Sequence, residues 1–586
     1  MSSLIPAFDL RHIPFSRRGS WINLSPVVAA HRTVDDVHLV SHRTGMHAVI
    51  GFSPRSASTP DDAHPAQERW DVAADAASVR WSLGPTSIQA VFAAPDTLRV
   101  RGDAAAALRL TEAAVELTPF TGTYLFRDPR DGSAVFTSYE TGCRYRVTAL
   151  EGELRVEGAE SLGEATRAVT VSASDGGDHW EIAIEEFESS RPPFSASVPF
   201  AACVAEVSTE FAAFATRTAP WADDHDVPSS TRDASLRAAY VLWSATVSPA
   251  GFLRREAVLM SKHWMDKVWS WDHCFNAIAL APAEPRLALD QFLAPFDHQD
   301  ETGALPDSIA HSERLYNFVK PPIHGWALDR LRAEGVTLTA GERDDVYDKL
   351  ARWTRFWLEE RRVRGRALAH YQHGNDSGWD NATVFDRTRL IESPDLAAFL
   401  LLQLDALARL AEECGHDATP WREEQNHVAG GLAELWRGDG YVARGVADGE
   451  DVDRTSLLPL LAIAAGEHLP PAARDALSEG VAAFLTQWGP ATERPDSTRY
   501  ESDGYWRGPI WAPSTMLLED GLRRAGHPGV ADDIAARFRR LCERGGFAEN
   551  FDALTGEGLR DRAYTWTAAV YLVLVRDAVR RGDLPR

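Results

Sequence analysis

"SPDLAAFLLLQLDALARLAEECG", residues 393–415, carries the punctuation of a helix at both ends. Ser393 stands at an N-cap position, where its oxygen can take an unpaired N–H of the first turn. Pro394 suits that turn, which asks for no N–H partner, and Gly415 is a stop. Downstream, "PSTMLLEDGLRRAG" and "PGVADDIAARFRRLCERGG" follow one another with the same glycine endings. Upstream, "DASLRAAYVLWSA" places Leu236, Tyr240 and Trp243 at helical spacing. Residues 234–586 therefore read as helical. At roughly 30 residues per helix and loop they hold about twelve helices, enough for antiparallel pairs in an α/α toroid.

Residues 1–215 have the other period. "TLRVRG", "CRYRVTALEGELRVEG" and "RAVTVSASDGGDHWEIAIEEF" alternate apolar and polar residues between Gly, Asp and Ser turns. Strands in succession without intervening helices predict an antiparallel β-sandwich. The stretch 216–233, rich in Pro, Asp and Ser, reads as a linker. The expected fold is thus a multidomain one, an N-terminal antiparallel sandwich followed by an all-α domain.

Composition narrows the partners. A formal charge of −24 over 586 residues excludes nucleic acid and anionic membrane, because nothing would offset phosphate repulsion. No run reaches the ~18 apolar residues of a membrane span. The N-terminal "MSSLIPAFDLRHIPFSRRGSW" has Asp9 and several arginines where a signal peptide needs an apolar core, so a cytoplasmic protein is expected. Five scattered cysteines without a CxxC pair fit reduced thiols and argue against zinc. A neutral small molecule suits this surface, and the 19 tryptophans offer flat platforms for sugar rings. No cofactor or metal is expected, and nothing fixes the oligomeric state. "DGEDVD", Asp448–Asp453, offers four carboxylates but not the spacing of a calcium loop, and reads as a solvated acidic turn.

Four of the 61 basic residues are lysines: Lys262, Lys267, Lys320 and Lys349. Where arginine serves nearly everywhere, a surviving lysine suggests a pocket that needs a compact ammonium, and Lys262 and Lys320 are the candidates.

The chemistry concentrates in loops between helices. About 30 residues separate the helix ending near Arg362 from Ser393, and they include "HGNDSGWDNATVFD", residues 373–386. Four segments share this mixture of aromatic and acidic residues. They are "KVWSWDHCFNAIAL" (Lys267–Leu280), "YNFVKPPIHGWAL" (Tyr316–Leu328), the GWDNA loop, and the pair "YESDGYWRGPIW" (Tyr500–Trp511) and "FAENFDALTGEG" (Phe547–Gly558). Taken alone, Asp272 is most simply a helix cap. Together the segments have the composition of a sugar site. Cleaving a glycosidic bond takes two carboxyls, one to protonate the leaving oxygen and one to activate water or attack. The acid needs a raised pKa, which burial against an indole supplies. Asp380, between Trp379 and Asn381, fits that role, with Asp376 as its nearest competitor.

These motifs resemble glycoside hydrolase family 63 and its relatives among the processing α-glucosidases and glycosylglycerate hydrolases. "WSWDHCFNAIAL", "KPPIHGWAL", "SGWDNA", "YWRGPIW", "ENFDALTGEG" and "YTWTAAVYLVL" match in order over about residues 235–580. The resemblance implies an inverting glycosidase on an (α/α)6 barrel, with Asp380 as general acid and Glu549 as general base. It implies a sugar subsite built from Trp269, Trp271, Asp272, Phe275, Lys320, His324, Trp379, Asn381, Tyr505, Trp506, Arg507, Gly508 and Trp566. His324 departs from the pattern, where relatives vary. The substrate it favours is an α-glucoside; glucosylglycerate, mannosylglycerate or trehalose are the alternatives within hydrolases. A sugar phosphorylase would need a phosphate cradle in place of Glu549, and a non-catalytic sugar-binding protein would need no acid–base pair.

Overall fold

The structure, a computed structural model, describes residues 5–58, 68–113, 123–159 and 167–584. Residues 1–4 of the N-terminal stretch read above lie outside the described residues.

Between Ala7 and Phe187 the described residues form fifteen strands, all antiparallel, in one nine-stranded and one six-stranded sheet. In the larger sheet Val100 pairs with both Ala90 and Ile182, and all three are fully buried against the facing sheet. Gly102 is needed beside them, because a Cβ there would lie 2.4 Å from the Trp180 indole. The opposite face carries Arg99 and Glu181, which are buried as an ion pair. That face is covered as well. Arg99 lies over the ring of Phe200 and donates to the Val198 carbonyl.

Phe200 opens a helix that the alternating pattern does not announce, α1 (Phe200–Thr218). The residues expected to form a linker, 216–233, hold the end of α1, a 3-10 turn over Pro220–Asp223 and the start of α2 (Ser229–Ala245). Their prolines sit at helix starts, a role that composition alone cannot tell from a loop.

Ten further helices follow: α3 (Asp272–Leu280), α4 (Pro285–Leu293), α5 (His324–Ala333), α6 (Ala340–Arg355), α7 (Pro394–Cys414), α8 (Thr419–Glu434), α9 (Pro471–Val481), α10 (Ala512–Arg524), α11 (Pro528–Gly545) and α12 (Thr565–Arg581). A 3-10 segment over Leu458–His468 lies between α8 and α9. In α7, Ser393 holds the N-cap position, but its hydroxyl donates to Asp395 instead of accepting from the backbone. Gly415 ends the helix with φ 76°, its N–H bonded to Ala411 and Glu412 carbonyls. α3 packs on α5, α5 on α7, α7 on the 3-10 segment, that segment on α10, α10 on α12, and α12 on α3. α2 lies against α12, α4 against α3, α6 and α8 against α7, α9 against the 3-10 segment, and α11 against α10.

The sheets are bolted to the helices by polar contacts, most of them buried. Lys262, 2% exposed, donates to Ser16 Oγ (2.9 Å) and to the Ser20 carbonyl. His42 meets Asp266 at 3.0 Å, and Arg17 pairs with Glu210 of α1. Among the described residues no helix is long and apolar enough to cross a membrane.

Candidate active site

Three carboxyls gather round one ammonium. Pro321 and Pro322 fix the chain ahead of α5 and aim Lys320 inward. Its Nζ lies 3.1 Å from Asp307, 3.9 Å from Asp380 and 2.9 Å from the Asn375 carbonyl. Asp272, in the first turn of α3, caps nothing. Trp271 occupies the cap position, and Asp272 Oδ2 is buried without a hydrogen-bond partner. Burial pushes the Asp272 carboxyl up to about 8 against the pull of Lys320. Burial also raises Asp380, opposed by Lys320 and reinforced by Asp307.

Glu549 comes from the loop after α11, and its N–H donates to the Asp561 carbonyl at 2.7 Å. It is 3% exposed. Burial raises its carboxyl to about 8; the Asp561 charge adds to this, while Arg560 and a hydrogen bond from the Tyr505 hydroxyl oppose it. The Asp380 charge is felt by Glu549, Tyr505 and Asp272 alike, so residues far apart in sequence share one site.

Tyr505 and Arg560 both adopt left-handed backbone conformations, φ 64° and 60°. Such strain persists only where surroundings enforce it, and it clusters at functional sites. The Arg560 guanidinium lies 4.9 Å over the Tyr505 ring and donates to Asn550 Oδ1 at 3.0 Å, with Asp503 at 2.8 Å. The Tyr505 carbonyl accepts from the Trp511 indole at 2.9 Å.

Around the carboxyls runs a chain of indoles. Trp379 stacks on Trp506 at 4.7 Å, and Trp506 on Trp511 at 3.9 Å with planes 4° apart. Trp511 meets Trp566 edge-on at 5.6 Å, and Trp566 meets Trp271 at 5.8 Å. The Trp566 N–H is buried without a partner. Gly378, φ 73°, lets the GWDNA loop press against this wall, since a Cβ there would lie 2.5 Å from the Trp271 ring.

The structure sorts the residues expected to bind sugar. Asp380, Glu549, Asp272, Lys320, Tyr505, Trp271, Trp506 and Trp566 come together as described, whereas Trp379 is fully buried behind Trp506 and backs the wall. Trp269 is half-buried, paired to Ser308 in a short strand beside Asp307. Asn381 is a strap: its side chain donates to the Gly504 carbonyl and accepts from the Trp506 N–H, both at 3.0 Å. Arg507 is a clamp, paired with Asp386 and donating to the Asn381 carbonyl at 2.9 Å. Gly508 packs its Cα against the Glu501 carbonyl and donates to Thr492 Oγ1. Phe275 is fully buried between Trp271 and Trp326, under the site and not in it. His324 is a correction of the same kind. It is fully buried edge-on to Phe296 and Phe292, and burial holds its imidazole down at about 3.

Asp376, the competitor, is spent on structure, pairing with Arg361 at 2.7 Å and accepting from the Val319 and Gln372 N–H groups. Three carboxylates of the 448–453 turn likewise pair with arginines, Asp448 with Arg387, Asp451 with Arg437 and Asp453 with Arg499. Asp307, Asp561, Trp511 and Arg560 were not singled out in the sequence. Trp511 alone had a local signal, at the end of "YWRGPIW".

The family model described as mannosylglycerate hydrolase MGH1-like glycoside hydrolase domain matches residues 265–567, which include Asp272, Asp307, Asp380, Glu549 and Asp561. The chain is 25% identical over 410 residues to a mannosylglycerate hydrolase of Rubrobacter radiotolerans, spanning 52% of this chain and 90% of that protein. The structure of a GH63 mannosylglycerate hydrolase from Thermus thermophilus, solved with Tris and D-glycerate, superimposes with TM-score 0.52 at 20% identity, over 58% of this chain and all of that one. A bacterial glucoamylase solved with acarbose superimposes with TM-score 0.58 at 11% identity over 99% of this chain and 98% of its own, so its fold extends through both halves. The chain belongs to the MGH1-like glycoside hydrolase family, and it is a glycosidase.

Proposed function

We propose that the protein is an inverting glycosidase of α-linked substrates in which Asp380 protonates the leaving oxygen and Glu549 activates water. The observation that carries this reading is a buried Glu549 facing a partly exposed Asp380, both carboxyls raised, with the Tyr505 hydroxyl bonded to the first and within reach of the second's charge. Protonating a leaving group near neutral pH asks for a carboxyl that burial has raised. A base must ionise, and at Glu549 Tyr505 and Arg560 both favour the charged form. The water between such a pair needs the carboxyls ~6.5–9.5 Å apart, against ~5–5.5 Å for a nucleophile. The circuit of helix contacts from α3 back to α3 supports closure as an (α/α)6 barrel, the 3-10 segment filling one inner place.

For the substrate we favour a neutral α-glucoside. Lys320, Arg507 and Arg560 each already face a carboxylate, which leaves a glycerate carboxylate poorly served. A second reading, a glycosylglycerate, has its own support in the mannosylglycerate hydrolases that this chain is similar to. The unpaired thiols suit a reducing, cytoplasmic setting. Initial rates on α-glucosides, α-mannosides, trehalose and glycosylglycerates test the substrate. Proton NMR of the first product tests the mechanism: an α-glucoside should release β-glucose before mutarotation, and α-glucose first would remove Glu549 as a general base.

A further inference from the structure

A second cavity, of about 270 Å³, opens where the N-terminal segment meets the helical half. Its lining includes Asp9, His12, Arg237, Gly545, Gly546 and Arg562, none of which belongs to the carboxyl cluster. Asp and Glu outnumber Lys and Arg by 85 to 61 in the chain, yet neither arginine of this lining pairs with a carboxylate. Arg562 donates only to main-chain carbonyls, Gly558 at 2.5 Å and Gly545 at 3.3 Å. Arg237 has no hydrogen-bond or ion-pair partner among the described residues. The one carboxylate in the lining, Asp9, is engaged by Arg11 through two bonds, Nε–Oδ1 3.0 Å and Nη2–Oδ2 2.5 Å. His12 completes the set and feels the Arg562 charge.

Two guanidiniums that no carboxylate pairs with, lining one half-open cavity, offer the paired N–H donors that a phosphoryl group accepts. The volume is below the ~300–1,000 Å³ range of sites for drug-sized ligands, so a small anion fits better than an oligosaccharide. We propose that Arg237, Arg562 and His12 form a binding site for a small phosphoryl anion, either inorganic phosphate or the phosphate of a sugar phosphate. Asp561, next to Arg562, has the carbonyl that accepts the Glu549 N–H, so this site and the catalytic loop share one segment of chain.

The test is thermal denaturation and calorimetric titration of the whole protein with sodium phosphate and with glucose 6-phosphate, against sodium chloride at matched ionic strength. Wild type should show a saturable rise in Tm with the phosphoryl ligands that chloride does not give. Arg237→Met should weaken that affinity at least about tenfold, as the loss of one charge-assisted contact implies, while keeping glycosidase activity. Arg562→Met should weaken the affinity likewise, and if it fails to fold Arg237→Met decides alone. Tighter binding of glucose 6-phosphate identifies a sugar phosphate; equal or tighter binding of phosphate identifies the free ion. No saturable binding, or unchanged binding in Arg237→Met, overturns the site.

Discussion

Tyr505→Phe is the substitution that isolates one interaction at the proposed base. The ring's neighbours stay: Arg560 4.9 Å above it and Trp511 edge-on at 4.9 Å. What is lost is the hydroxyl bonded to Glu549, which favours the ionised carboxyl. A hydrogen bond to a charged group contributes ~1.5–3 kcal/mol. A water entering the vacated space would restore part of it, so about 1.4 kcal/mol, one pKa unit, is the expected upward movement. The sign follows from the role. A general base works ionised, so its activity appears as pH rises through its pKa. Glu549 already sits at about 8. At pH 7 the variant should therefore have roughly a tenth of the wild-type kcat/KM, and the two should converge at alkaline pH, where both carboxylates are ionised.

The assay is kcat/KM against pH for wild type and variant on one glycoside, with Tm measured at each pH. A neutral-pH loss that persists undiminished at alkaline pH would mean that Tyr505 positions substrate. An unchanged profile, or one shifted to lower pH, would refute the assignment of Glu549 as a base held ionised by Tyr505.

Asp380→Asn keeps shape but loses the proton, and kcat should fall at least ~10²-fold, less on a substrate with a good leaving group; near-wild-type turnover on an ordinary glycoside would end its role as acid. Lys320→Arg cannot keep contacts of 2.9 and 3.1 Å with a wider head, so kcat/KM should fall about 10²-fold through misplaced carboxyls while Tm stays near wild type; equal kinetics would show that a compact ammonium is not required. Gly378→Ala should cost ~1–2 kcal/mol for a left-handed alanine plus ~1–3 kcal/mol for pressing on Trp271, visible as a lower Tm and a higher KM.

Much of the fold could be read because its signals are local. The ends of α7 are written in Ser393, Pro394 and Gly415, and the strands in strict alternation. The helix α1 escapes that reading although Phe200, Cys203, Val207, Phe211 and Phe214 bury one face at helical spacing. It follows directly on a β region, and its function is to cover the outer face of a sheet, which alternation does not announce. Within the candidate site, the family motifs contain Asp272, Asp380 and Glu549, but motif membership does not tell which way a side chain points. Phe275 and His324 lie within such motifs and face the core. Arg507 lies in one and serves a loop clamp. Asp307 reaches the site across strand pairing, so nothing adjacent to it in sequence marks it, and Asp561 lies between two motifs without belonging to either.

The ammonium of Lys320 decides how charge is distributed in the site. Asp272, Asp307 and Asp380 all raise its pKa, and one positive charge cannot neutralise three carboxylates in a space walled by indoles. Burial therefore favours a proton on the most buried of them. Asp307, at 3.1 Å, holds the ammonium most closely, and Asp272 is the group raised to about 8. Burial thus favours the protonated form of Asp272, and in the proposed site its partnerless buried oxygen would face a sugar hydroxyl. Asp380 is left 3.9 Å from the ammonium, side chain 31% exposed, raised by burial and pulled down by Lys320. A sugar that displaced the remaining water would raise it further, because loss of solvent is the main cause of its elevation and Lys320 is already shared. In the proposed mechanism the general acid is then protonated by the binding of its own substrate, and the lysine that holds it back in the empty site is the residue whose replacement should most change the pH at which it acts.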